Sequence, residues 1–214
     1  MVKLVIFDLD GTLIDSMPDI QDQVKITLKE FNQPLRTDDE IRGFVGHGAR
    51  QLIKNCFTST DEQMIEQGLK YYNEHYTNCG SPRTRVFDGV SKLIKELKGR
   101  RFKTAILTNK PQMTTDKVYE KYLSQFQFDM VVGQSQSVKC KPDKTATLNI
   151  MANLGATPDN TYFVGDDVTD VLTAKNANVT GICALWGYRE KEFLVKAGAT
   201  NFALNPMEVL SFIK

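Results

Sequence analysis

The sequence predicts an α/β fold: a doubly wound parallel sheet carrying an inserted all-helical cap, and three observations lead there. Residues 4–7, Leu-Val-Ile-Phe, are apolar at consecutive rather than alternating positions, as in a strand covered on both faces. From residue 84 onward, short β-branched runs alternate with helical stretches, the pattern of parallel strands joined by crossover helices. Between residues 16 and 82, helical periods dominate and no strand pattern appears.

Taken in order, residues 2–7 are expected as the central strand. Ser16 with Asp19 three positions on has the pattern of a capping box, and Pro18 suits the first turn of a helix that runs to Phe31 and stops before Asn32-Gln33-Pro34. Further helices are expected over 37–44, 49–56 and 61–76, the last capped by Thr60 or Asp61. Tyr71, Tyr72 and Tyr76 keep most of their area on one face of that helix and read as packing residues. Beyond the insertion, strands are expected over 102–108, 128–132, 161–164, 180–184 and 201–203. Helices are expected over 90–98, 113–123, 144–154, 168–176, 191–197 and 207–213. Residues 1–15 and 83–214 would then form the α/β core, and 16–82 the helical cap.

A chain of 214 residues with 41% hydrophobic content can bury one good core and a small accessory domain. Its 27 Lys and Arg balance 26 Asp and Glu, so no bulk field draws it to nucleic acid or an anionic membrane, and affinity for anions has to be local. Cys56, Cys79, Cys140 and Cys183 are widely spaced with no C-x-x-C pair, which argues against a zinc site or a disulfide framework and fits a reducing cytoplasm. The opening apolar run is too short for a signal-peptide core, and no run reaches the roughly 18 apolar residues of a membrane span. The expectation is a soluble, cytoplasmic protein.

The first strand ends in Asp8-Leu9-Asp10-Gly11, where Gly11 can turn the chain at the carboxyl edge that collects ligands in open parallel sheets. A second acidic cluster, Asp166-Asp167-Val168-Thr169-Asp170, follows the strand that ends at Val164. Carboxylates about 4 Å apart repel by roughly 4 kcal/mol at an effective dielectric near 20, so acidic groups gathered at neighbouring strand ends call for a cation. Oxygen ligands favour magnesium. Thr108-Asn109-Lys110-Pro111 closes another strand with a hydroxyl, an amide and a following helix N-terminus, a set able to hold phosphate oxygens. Lys141, before Pro142 at an expected helix entrance, offers a fixed point charge, with Lys139 the alternative. Asp167 reads equally as a first-turn helix carboxylate or a metal group, and Trp186-Gly187-Tyr188-Arg189 as an edge of the site or a core plug. Arg50 reads as a cleft-facing specificity residue or a solvated arginine. His47 and His75 lack spaced partners and do not read as metal ligands.

A D-x-D at a strand end is by itself commonly a turn or a cap. Here Asp8-Leu9-Asp10-Gly11-Thr12-Leu13, Thr108-Asn109, Lys141-Pro142, and Gly165-Asp166 with Asp170 stand in an order that resembles the haloacid dehalogenase superfamily. Gly46-His47-Gly48 and Thr108-Asn109-Lys110-Pro111 look like its phosphoglycolate phosphatase-like branch. Two departures stand beside these: Lys141-Pro142-Asp143-Lys144 lacks a second proline, and Asp167-Val168-Thr169 replaces Ser-x-Asn. The resemblance implies a phosphatase for a small phosphorylated metabolite, with Asp8 as nucleophile and Asp10 as general acid and base. It implies Mg2+ held by Asp8, the Asp10 carbonyl and Asp166, with Asp170 further out or reaching the metal through water, and a transferring group held by Thr108, Asn109 and Lys141. It places Gly46 and His47 in the cap, where with Arg50 they are candidates for substrate contact. A phosphomutase would share Asp8 and Asp10, a dehalogenase would need neither Asp10 nor the metal cluster, and a phospho-aspartate signalling module would lack the long insertion.

Overall fold

The computed structural model describes residues 2–214. The chain opens with β1 (Val2–Phe7) and a two-residue β2 (Ile14–Asp15), then runs through α1 (Met17–Glu30), α2 (Asp38–Phe44), α3 (Ala49–Cys56) and α4 (Glu62–Asn78). It returns through β3 (Arg85–Val86) and continues as α5 (Val90–Gly99), β4 (Lys103–Pro111), α6 (Gln112–Tyr122), β5 (Met130–Gln134), α7 (Thr145–Leu154) and β6 (Ala156–Gly165). α8 (Val168–Asn176), β7 (Thr180–Ala184), α9 (Lys191–Lys196) and β8 (Phe202–Ala203) follow. The α-helix expected over 207–213 is instead a 3-10 segment, Pro206–Ser211, capped by Asn205, whose side chain accepts from the Glu208 N–H.

The main sheet has the order β5-β4-β1-β6-β7-β8, with every pairing parallel. β1 is interior because its residues 4–7 have no polar face to offer water: all four side chains are at most 1% exposed. Val5 and Phe7 pack with Leu93, Ile94 and Leu97 of α5, whereas Leu4 and Ile6 pack with Ile150 and Met151 of α7. Burial of each such side chain is worth about 1.5–3 kcal/mol, so both parities of this strand anchor the sheet. The chain moves outward from β1 through β4 to β5 and then crosses back to β6. Strand order therefore reverses beside β1, and a cleft opens at the carboxyl ends of β1 and β6.

The helices α1 to α4 enclose an apolar cluster of their own, including Ile20, Val24, Leu28, Ile41, Ile53 and Ile65. Thr37 and Glu40 form a capping box on α2, and Asp61 rather than Thr60 caps α4 by accepting from the Gln63 N–H. Both chain crossings into this unit are joined by the antiparallel ribbon of β2 and β3, which pairs Ile14 with Val86 and Asp15 with Arg85. Strands of two residues show no period, which is why the sequence did not reveal them. The capping box expected from Ser16 and Asp19 does not form. Ser16 Oγ donates to Asp10 Oδ1 at 2.5 Å, and Asp19 accepts from the Arg83 N–H at 3.1 and 3.2 Å and from the Thr84 hydroxyl at 2.6 Å. Long-range partners have taken the side chains that a local cap would use. Among the described residues, no helix is long and apolar enough to cross a membrane, and the cysteines are unpaired.

Candidate active site

The carboxyl end of β1 is continued by Asp8, whose N–H donates to Val164 O of β6 at 2.8 Å. Asp8 Oδ1 accepts from the Leu9 N–H at 2.7 Å. The chain then turns at Gly11, with φ of 84°, where a Cβ would lie 2.3 Å from Asp166 Oδ2. A side chain is excluded there by both backbone and neighbour. Asp166, just past β6, accepts from the Thr12 hydroxyl at 2.8 Å and from the Tyr188 N–H at 2.9 Å. Asp170, in the first turn of α8, accepts from the Asp167 N–H at 2.9 Å. The carboxylates of Asp8, Asp166 and Asp170 are buried and present oxygens within 4.8 Å of one another.

One ammonium enters this cluster. Lys141 Nζ lies 2.8 Å from Asp8 Oδ1 and 2.6 Å from Asp170 Oδ1. Burial alone would lower the Lys141 pKa, but Asp170 and Asp8 outweigh it and hold the ammonium firmly charged. The three carboxylates exceed this single cation, so burial and mutual repulsion push Asp166 well above the usual carboxylate range and Asp8 up to about 7. Surplus negative charge on an all-oxygen donor set is the environment a hard divalent cation neutralises. The residues present fit such an ion.

Lys141 is positioned by Asn109 rather than by a helix entrance. Asn109 Oδ1 accepts from the Lys141 N–H at 2.7 Å while Nδ2 donates to Lys141 O at 3.2 Å and to Gly46 O at 2.9 Å. The Asn109 amide, expected on phosphate oxygens, is thus committed to the backbones of two loops. Pro142 precedes α7 by three positions and does not start it. Lys139 stays outside the site, its side chain 77% exposed and 3.7 Å from Asp143. Thr108 is buried at the cavity wall, where its Oγ1 accepts from the Lys110 N–H at 3.2 Å.

The cavity in front of these groups encloses about 60 Å³. Asp10 lines it, with Lys110 Nζ donating to both of its carboxylate oxygens at 3.0 Å. The same ammonium donates to the Tyr76 hydroxyl at 2.8 Å, tying α4 to the end of β4. Arg189 donates to Asp167 Oδ2 at 2.6 and 2.9 Å and to Val45 O at 2.9 Å. Asp167 therefore acts as the cap of α8 and the partner of Arg189, outside the three-carboxylate cluster. The segment 186–189 edges the site: Trp186 Nε1 donates to Thr12 O at 2.9 Å, and the Tyr188 hydroxyl oxygen accepts from the Ser16 N–H at 2.8 Å.

Gly46 lies on the cavity wall, with Asp167 so close that a Cβ at Gly46 would sit 2.8 Å from its carboxyl carbon. His47 is exposed and does not line the cavity. Arg50 is turned away onto α4, where it pairs with Glu62 at 2.5 Å and Glu66 at 2.6 Å. Acidic residues on the neighbouring helix, invisible to local pattern, decide that orientation. Arg50→Ala is accordingly expected to leave kcat/KM within about twofold of wild type, since exposed ion pairs contribute little; steady-state kinetics checks this, and a tenfold loss would return Arg50 to the site. Tyr188 and Arg189 line the cavity, as the site-edge reading of 186–189 allowed, whereas Lys110, Tyr72 and Tyr76 line it without having been given a site role from sequence. Lys110 alone carried a signal, as a cation directly after Thr108-Asn109.

The model of the haloacid dehalogenase-like hydrolase family matches residues 5–184. The chain is 33% identical to a phosphoglycolate phosphatase 1 of Pseudomonas aeruginosa, over 97% of this chain and 78% of that protein. It is 30% identical to a phosphoglycolate phosphatase of Psychrobacter arcticus, over 87% and 84%. Its fold matches that of a haloacid dehalogenase-like family hydrolase from Streptococcus pneumoniae with a TM-score of 0.87 at 24% identity, covering 99% of this chain and 98% of that one. With the family model spanning most of the chain, and the parallel sheet bringing Asp8, Lys141, Asp166 and Asp170 to one edge, this chain belongs to the haloacid dehalogenase-like hydrolases, in their phosphoglycolate phosphatase-like branch.

Proposed function

We propose that this chain hydrolyses a small phosphomonoester of the phosphoglycolate type, with Mg2+, through an aspartyl phosphate on Asp8. The observation that carries this reading is Lys141, whose buried ammonium joins Asp8 to Asp170 beside Asp166 at the carboxyl edge. Asp8 attacks phosphorus, forming an Asp8–phosphorus bond as the ester bond breaks. Asp10 gives a proton to the departing oxygen, then takes one from the water that cleaves the acyl phosphate and restores Asp8. Lys141, Thr108 and Asn109 border the space for the transferring group, and Lys141 supplies positive charge where negative charge spreads. Asp8, Asp166 and Asp170 with the Asp10 carbonyl would hold the metal, which when bound supplies further charge neutralisation at the phosphoryl oxygens.

The helical unit over 16–82 serves as a cap on a core of 1–15 and 83–214, a reading supported by its own apolar cluster and by the Arg189 and Asn109 bonds that fasten its 43–48 loop over the cavity. A closed cap excludes water and limits the leaving group to small ones. Unpaired cysteines agree with a cytoplasmic setting. The test is a screen of metabolite phosphates with magnesium, read as inorganic phosphate released. Turnover is expected on short-chain phosphates, loss of it with EDTA, recovery with magnesium, and little activity with calcium because of its larger, looser shell. Full activity in metal-free buffer, or a preference for phosphopeptides, would overturn the reading.

A further inference from the structure

The helical unit closes one end of the cavity with Ile20, Val45, Ala49, Leu52 and Tyr72. The first four side chains present only hydrocarbon. On the other walls the strong polar groups are already engaged: Lys110 by Asp10 and Tyr76, Arg189 by Asp167 and Val45, and Asn109 by Lys141 and Gly46. Tyr72 differs. It is 3% exposed, and among the described residues its hydroxyl has no hydrogen-bond partner. Its ring centroid lies 5.6 Å from that of Tyr76, whose hydroxyl accepts from the Lys110 ammonium that also holds Asp10, and all four residues line the same cavity. Burial, then Tyr76, raise its pKa well above the ordinary phenol, so it stays a hydrogen-bond donor. Native structures leave few buried polar groups unpaired, and one aimed into a ligand cavity is completed by the ligand.

We infer that Tyr72 is a specificity-determining residue whose hydroxyl donates to the terminal oxygen of a short polar leaving group. This rests on the phosphatase reading above. The oxygen next to phosphorus faces Asp10, the methylene chain lies against Ile20, Val45 and Leu52, and the far oxygen reaches Tyr72. A site built around such a donor discriminates against an analogue that lacks the acceptor, because the buried hydroxyl is then left unpaired.

Phosphoglycolate, 2-hydroxyethyl phosphate and ethyl phosphate have leaving groups of similar length that end in a carboxylate, a hydroxyl and a methyl group. Tyr72→Phe is expected to lower kcat/KM about tenfold, chiefly through KM, for whichever of the first two the wild type prefers, and to leave ethyl phosphate within about twofold. Which of the two responds tells whether the terminal oxygen is anionic or neutral. An equal loss on all three, or a loss on none, overturns the proposal, as does a wild-type preference for ethyl phosphate. Binding is read separately by calorimetry of phosphoglycolate and 2-hydroxyethyl phosphate, with magnesium, to Asp8→Asn and to Asp8→Asn/Tyr72→Phe. About tenfold weaker binding of one ligand to the double variant is expected, and equal affinity for both ligands, or no binding of either, overturns the role of Tyr72. Wild-type protein that binds these ligands but releases no phosphate counts against the phosphatase reading alone.

Discussion

Asp8→Asn is expected to reduce phosphate release at least a thousandfold, roughly 4 kcal/mol of barrier. The amide is close to the carboxylate in volume, so the β1 terminus and its Leu9 N–H contact should persist, but it is a poor nucleophile and a weaker metal ligand. A second outcome follows from the charge count. Asp8, Asp166 and Asp170 face one ammonium in the metal-free protein, and burial with mutual repulsion already pushes Asp8 up to about 7. Removing one carboxylate lessens that repulsion, so metal-free Asp8→Asn should melt no lower than wild type. A melting curve alongside single-turnover phosphate release checks both. A folded variant that keeps more than a tenth of wild-type kcat would take Asp8 out of the mechanism.

Lys141→Ala should be damaging in two ways that can be measured apart. The side chain is 2% exposed and is the cation within reach of Asp8 and Asp170, so its loss leaves buried carboxylates uncompensated. Breaking a buried pair from one side typically costs about 3–5 kcal/mol, and the metal-free variant should show that loss in denaturant unfolding. Magnesium should restore part of it, because a bound dication answers the same surplus charge. Catalysis should not recover in step: kcat/KM is expected to stay about a hundredfold or more below wild type, through loss of a cation facing the transferring phosphoryl group. Lys139→Ala, at an exposed position, should do neither. A stable Lys141→Ala enzyme within tenfold of wild-type kcat/KM would mean that Lys141 compensates the carboxylates and does no more.

Much of the core was legible because its physics is local. A strand buried on both faces has to read as continuous hydrocarbon, and β1 does, which placed it inside the sheet before any partner was known. Helix spans also followed from periodicity: α3 and α8 lie over the residues the pattern gave. Strand ends were less legible. β6 begins at Ala156, well ahead of the expected 161, because neighbouring strands rather than intrinsic pattern extend a ladder.

What the sequence by itself determined is the set of groups that meet. Asp8 and Asp166 follow apolar strands, and parallel strands discharge their carboxyl ends on one edge, so their meeting is a consequence of topology that pattern alone discloses. What only the tertiary structure decided is which partner each side chain takes. Ser16 and Asp19 had the local pattern of a cap and went to Asp10, Arg83 and Thr84; Arg50 went to Glu62 and Glu66; the Asn109 amide went to Lys141 and Gly46. Tyr72 and Tyr76 had the spacing of packing residues, yet one holds Lys110 and the other faces the cavity unpaired. The reason is that periodicity records which face of an element is buried, whereas a hydrogen bond is chosen among donors and acceptors on different elements that come within reach only when those elements pack in three dimensions.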